Sequence, residues 1–354
     1  STVHLHVDRL LDAARAFLQG GSLEPFETAA TDAGALTTVE ALLSRVLADL
    51  PLPPDALAAL VCAVLAESAT PEAIKLALAL AGLLRGGTDF EPVLRLCAVH
   101  DEFTLYAGVA LLDRGADPEA TWLAIAQRVY GWGRVHAVHR LCAQKVGPLA
   151  RRWLLTEGSA NDVLPAYTAL TIAEQTDPIV ALGDAPEDTA LLNGLGALYE
   201  GLCDEGPCAG MSAWESGAEF CAALAEALAR APLSAERLNT LLRVRTTATT
   251  LGEASAARAQ SAVESVLARE DFEPSLRSWL RDEGPETRRA ARQVLRALDR
   301  DAREEAFLEI ERAPHETMGW FEAADGADEP TLARVVERAR AHLAPDALAT
   351  GATT

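Results

Sequence analysis

The stretch EFTLYAGVALLDRGADPEATWLAIAQRVYG, Glu102 to Gly131, decides the fold. Apolar residues on both sides of its RGAD centre recur at helical spacing, not in the alternation of a strand. Asp117 suits an N-cap, Pro118 a first helical position and Glu119 the positive end of a helix dipole. The spacing predicts a helix, a tight turn and a second helix.

The punctuation recurs along the chain. TPEA at 70–73, GPLA at 147–150, DPIV at 177–180 and GPET at 284–287 each set proline after a polar residue or glycine, as helix starts do. In PEAIKLALALAGLLRGG the helix is expected to run from Pro71 to a stop at Gly86 and Gly87. Corresponding helices are expected near 72, 102, 133 and 162, and intervening ones near 90, 119 and 148. The step is about 30 residues, within the range of helical repeats. DFEPVLRL at 89–96 returns as DFEPSLRSWL at 271–280.

A lone helix pair cannot bury its apolar face, so a recurring pair predicts stacking. The expected fold is all-α: an α-solenoid of stacked helical hairpins similar to HEAT and armadillo arrays, with repeats of about 30 residues. Composition agrees. Apolar residues make up 49%, mostly Ala and Leu, while aromatics are only 5%.

The rhythm breaks between Leu182 and Gly217, where Gly, Pro, Asp and Glu accumulate. The expected organisation is an N-terminal helical half over 1–181, an irregular connection over 182–217, a C-terminal helical half over 218–344 and a disordered tail over 345–354. In GPETRRAARQVLRALDRD, Ala290, Ala291, Val294, Leu295 and Leu298 form one stripe. Arg288, Arg289, Arg292, Arg296 and Arg300 lie off it, and the expectation is a solvated face with acidic neighbours.

Net charge is −21, and lysine occurs only at Lys75 and Lys145. So acidic a chain repels phosphate backbones and anionic membranes, which argues against nucleic acid and membrane as partners and for a basic protein or peptide. No apolar run is long enough to span a bilayer, and Asp8, Arg9, Asp12 and Arg15 interrupt the first one. A cytoplasmic location is expected. Cys62, Cys97, Cys142 and Cys221 sit singly in apolar helical patterns, as reduced cysteine does when it acts as a small hydrophobe. Cys203 and Cys208 lack the spacing of a redox pair or metal site.

The least generic segment is VYGWGRVHAVHRLCAQK, Val129 to Lys145. Gly131 is expected to stop one helix in the left-handed region, Trp132 to lie in the connector, and the next helix to start near Arg134. His136 and His139 then share a face, with Arg140 on a neighbouring stripe. Trp and Arg are favoured anchors of recognition surfaces. The candidate binding set is therefore Trp132, Arg134, His136, His139 and Arg140. A metal-assisted or acid–base centre at His136, His139 and Asp162 is an alternative, as is a small-ligand groove at Trp132 and Arg134. No catalytic set, metal site or cofactor is expected.

YGWGRVHAVHRL followed by WLLTEGSANDVLPAYTALTIAE resembles a family of uncharacterised bacterial helical-repeat proteins, some of which carry a limonene hydroxylase label. The resemblance covers Tyr130 to Glu174. It implies a helical-repeat fold and points to Asn161 and Asp162 as companions of Trp132. The family pattern has an acidic residue at the position of His139, which departs from a histidine pair. No haem-thiolate, flavin or two-histidine-one-carboxylate pattern accompanies the label. The functional expectation is a non-catalytic binding scaffold that uses the concave face of an acidic helical array.

Overall fold

A computed structural model describes residues 2–49, 52–85, 89–184, 188–206, 208–282 and 284–343. Among these residues the protein is all-helical, with no strand. No helix among them is long and apolar enough to cross a membrane. The chain divides into two compact units, Ser1–Pro178 with Ala197–Trp214, and Ile179–Gly196 with Glu215–Thr354.

The first unit begins with α1 (Thr2–Leu18), α2 (Glu24–Ala33), α3 (Ala35–Asp49), α4 (Pro54–Glu67) and α5 (Pro71–Leu83). It continues with α6 (Glu91–Cys97), α7 (Thr104–Asp113), α8 (Pro118–Ala126), α9 (Trp132–Cys142), α10 (Pro148–Trp153) and α11 (Ala166–Thr176). Observed starts at 71, 104, 132 and 166 follow the expected step. Proline supplies the first turn of α4, α5, α8 and α10, and the Asp117 carboxylate accepts from the Ala120 N–H at 2.7 Å to cap α8. α5 ends at Leu83; Gly86 and Gly87, the expected stop, lie outside the described residues.

Contacts in this unit follow a rule. α5 packs on α7, α7 on α9, and α9 on α11, while α6 lies on α7 and α8 on both α7 and α9. Alternate helices therefore form a row, with the intervening ones against it. α5 is nearly apolar all round, and Leu76, Ala77, Leu78, Ala79, Leu80 and Ala81 are all buried. Gly82 lets α7 approach: a Cβ there would stand 2.9 Å from Ala110 Cα. Lys75 ties the row at one end, with Nζ 2.6 Å from Glu72 and 2.7 Å from Glu102, while Glu72 also accepts the Ala35 N–H at 2.5 Å.

Next come α12 (Pro178–Asp184) and α13 (Thr189–Cys203). The stretch 182–217, expected to be irregular, thus carries a 15-residue helix. Leu191, Leu192, Leu195, Leu198, Tyr199 and Leu202 form its buried stripe, which Gly194, Gly196 and Gly201 dilute in the sequence. Gly201 has a packing reason: a Cβ would meet Ala169 Cβ at 3.0 Å and Pro165 at 3.2 Å.

The second unit continues with α14 (Gly217–Arg230), α15 (Ala235–Leu251), α16 (Glu253–Leu267), α17 (Phe272–Trp279), α18 (Pro285–Ala297), α19 (Arg303–Arg312), α20 (Thr317–Ala324) and α21 (Glu329–His342). α14, α15 and α16 pack on one another, α18 packs on α15, and α20 lies against α19 and α21. The tail over 345–354 is outside the described residues.

The arginine stripe of α18 is exposed at Arg289 and, past the helix end, at Arg300, as expected, but not throughout. Arg288 and Arg292 are buried, not solvated. Arg288 Nε and Nη2 donate to Glu309 Oε2 and Oε1 at 2.7 and 2.6 Å, and Arg292 donates to Glu309 at 3.1 Å and to Glu322 at 2.5 Å. The cause is the acidic segment after it: α19 and α20 turn Glu309 and Glu322 inward beside Phe307, Ile310 and Ala323. Buried charge persists only when paired and hydrogen-bonded, as these planar forks are. Among the described residues Glu322 Oε1 has no hydrogen-bond partner, with Arg296 Nη2 3.4 Å away.

The two DFEP octamers adopt matching structures. Phe90 and Leu94, and Phe272 and Leu276, are buried, and an arginine later in the chain covers each phenylalanine. Arg114 stands 6.0 Å from the Phe90 ring centre and Arg300 5.6 Å from that of Phe272. The cysteines divide: Cys142 and Cys221 are buried as expected, but Cys62 is exposed on α4, off the stripe of Leu57, Leu60, Val61 and Val64. Cys97, Cys203 and Cys208 are half-buried, and among the described residues none of the six forms a disulfide.

Candidate functional site

The start of α9 is held by Asp101. Its Oδ1 accepts the Gly133 N–H at 3.1 Å, which supplies one acceptor that a helix N-terminus lacks. A Cβ on residue 133 would stand 2.5 Å from Thr104 Oγ1 and 2.6 Å from Asp101 Oδ1. Glycine therefore provides room here, not an unusual φ. Gly131, at φ −87°, is not left-handed either. The helix starts at Trp132, two residues before the expected Arg134, so Trp132 belongs to its first turn and not to a connector.

Arg134 is the buried base of the site, only 4% exposed. Its Nη2 donates to the Glu157 carbonyl at 2.8 Å. Its guanidinium carbon lies 5.1 Å from the Trp153 ring centre and 5.5 Å from that of Tyr130. Nε is buried and has no hydrogen-bond partner among the described residues. Burial lowers the Arg134 pKa from the usual arginine value, and Glu157, Tyr130 and Asp162 oppose that shift. The Glu157 carbonyl belongs to a π-helical turn, Leu154–Gly158, that extends α10. Such turns widen the backbone and recur at functional sites.

Above this base, Trp132 is 50% exposed and Tyr130 57%. The Trp132 ring centre is 5.0 Å from that of Tyr167 and 6.5 Å from that of His136. His136, His139 and Arg140 are exposed. His139 Nε2 lies 2.8 Å from the Tyr167 carbonyl, which can only accept, so this nitrogen carries a proton. Its Nδ1 is 3.5 Å from Thr171 Oγ1. The His136 pKa is lowered, first by partial loss of solvent and then by His139 and Arg140.

Asn161 spends its side chain locally. Oδ1 accepts from the N–H groups of Val163 and Leu164 at 3.0 and 2.8 Å, and Nδ2 donates to the Ser159 carbonyl at 3.1 Å. This is a loop-closing turn and not a cap, since α11 starts at Ala166. The Asp162 N–H donates to the Tyr130 carbonyl at 2.8 Å, joining this loop to the start of α9, while its side chain is exposed.

Trp132, Arg134, His136, His139 and Arg140 thus share one helix, and Asn161 and Asp162 brace it. Among the described residues no three His, Cys, Asp or Glu side chains form a group that could hold a metal ion, so His136, His139 and Asp162 do not converge as ligands. Sequence reasoning missed Asp101, Trp153, Glu157 and Tyr167. Asp101 and Tyr167 were findable in principle: each lies about 30 residues, the expected helix-pair spacing, from the α9 residue it touches. What the arrangement offers is aromatic area, imidazole and guanidinium on a fixed support. No family model matches the chain, and neither a curated protein nor a solved structure matches it.

Proposed function

We propose that this chain is a non-catalytic binding scaffold, cytoplasmic, whose first unit stacks helical hairpins as HEAT-like arrays do and presents the Trp132 surface to a protein or peptide partner. The row α5, α7, α9, α11 with its intervening helices supports the stacking, as does the matched pair of phenylalanine–arginine contacts in the two DFEP octamers. Tyr130–Glu174, the segment resembling the uncharacterised bacterial helical-repeat proteins, contains these site helices.

The observation that carries the reading is the half-exposed Trp132 in the first turn of α9, next to the exposed Tyr130 ring that lies against the buried Arg134, which ties α9 to the Glu157 carbonyl. Burying large aromatic side chains is favourable, and a rigid support lowers the ordering cost of doing so at an interface. The overall charge of −21 favours basic partners at long range.

The test is capture of a partner on the full chain, followed by titration of the purified partner against wild type and Trp132→Ala. Weakening by about tenfold or more, with an unchanged circular-dichroism spectrum, is expected for loss of an aromatic anchor. A partner bound equally by both proteins overturns this site. No retained partner at low salt overturns the scaffold reading.

A further inference from the structure

The charge around Trp132 runs against the charge of the chain. The sequence has 52 acidic and 31 basic residues in 354, yet no Asp or Glu stands between Glu119 and Glu157. The same interval contains four arginines besides Arg134, one lysine, Lys145, and two histidines. Arg128, Arg140, Lys145 and Arg151 are exposed. The bordering carboxylates are already engaged: Glu119 Oε2 accepts the Gly147 N–H at 2.8 Å, and Asp101 Oδ1 accepts that of Gly133. Glu157 and Asp162 are exposed, and they lie on the loop side of the buried Arg134 and not on α9 itself. The exposed surface of α9 is left with His136, His139 and Arg140 beside the Trp132 and Tyr167 rings.

We propose that this face of α9 binds an acidic peptide segment of a partner protein. The carboxylates of the segment pair with Arg140 and accept an N–H from His136, and an apolar side chain of it covers Trp132. The proposal rests on the binding-surface reading above and reverses, for this face, the expectation of a basic partner. Screening explains the reversal. At physiological salt the field of distant carboxylates fades beyond about 8 Å, so contacting groups decide complementarity. A nucleic acid fits less well, because a phosphate backbone needs charge neutralisation over an extended track and the rest of this chain is acidic.

The experiment is selection of a random peptide library on the immobilised full-length chain, followed by titration of the enriched peptides. Acidic sequences are expected to dominate, to bind more weakly as salt rises, and to lose about tenfold or more in affinity with either Arg140→Glu or Trp132→Ala. Arg140→Gln, which removes the charge without inverting it, should give a smaller loss. Enrichment of basic peptides that still depend on Trp132 overturns the acidic partner while leaving the binding surface standing. No enrichment, or peptides that bind Trp132→Ala as well as wild type, overturns both. A single-stranded DNA oligonucleotide that displaces the peptides and binds more tightly in an Arg140-dependent way overturns the peptide in favour of nucleic acid.

Discussion

Arg288 and Glu309 meet through two parallel hydrogen bonds, at 2.7 and 2.6 Å, with both side chains buried. Arg292 joins them and carries the network to Glu322. Removing one member leaves the buried charge of the other only partly satisfied, by Arg292 for Glu309 or by the Asp282 carbonyl for Arg288. Glu309→Gln or Arg288→Met should therefore cost about 3–5 kcal/mol, whereas replacing both by apolar residues of similar volume should recover most of the loss. Urea unfolding of the full chain, followed on the transition of the second unit, checks this.

The same network predicts acid sensitivity. The hydrogen bonds from Arg288 hold the Glu309 pKa below the usual carboxylate value, against a desolvation that raises it. A carboxylate with a depressed native pKa binds its proton less readily when folded. Its stabilisation is complete above the pKa of the unfolded chain and is lost as pH falls through the native value. Stability of the second unit should fall through the acidic range, and Glu309→Gln should flatten that dependence. A pH series of urea midpoints would show it, and an unchanged slope in the variant would contradict it.

Gly133→Ala tests the start of α9 against simple helix propensity. Alanine is favoured over glycine inside a helix by about 1 kcal/mol. At residue 133 its Cβ would collide with Thr104 Oγ1 and the capping Asp101 carboxylate, so the substitution should destabilise by about 1–3 kcal/mol instead. Gly183→Ala on α12 is the contrast, since among the described residues nothing lies within 4 Å of a Cβ there. It should be neutral or mildly stabilising in the same melting experiment.

Helices were legible in the sequence because Pro, Gly and Asp mark their ends locally, as at Asp117 and Pro118. The α9 segment stood out for its composition, and its Arg, His and Trp do gather on one helix. What stayed hidden depends on residues far apart in the chain. Arg288 and Arg292 read as a solvated face because arginine is rarely buried, and only Glu309 and Glu322, on later helices, reverse that. Gly131 read as a left-handed stop because the reason for glycine there, the Asp101 carboxylate that a Cβ would strike, lies 30 residues earlier in the chain. Leu191–Leu202 read as a linker because its glycines interrupt an apolar stripe that tertiary contacts nonetheless bury.

His136 offers a test confined to the surface of α9. Its pKa lies below the usual histidine value because its ring is partly desolvated and because His139 and Arg140 disfavour a further positive charge. Arg140→Ala removes one of these causes and should move the His136 midpoint upward in an NMR titration. The linkage has a definite sign. The folded chain takes up this proton at lower pH than the unfolded chain, so folding loses stability as pH falls through the interval between the two values. Arg140→Ala should shrink that loss. A His136 midpoint that does not respond to Arg140→Ala would mean that desolvation alone sets it, and Arg140 would then be too far from the imidazole to act with it on a shared carboxylate ligand.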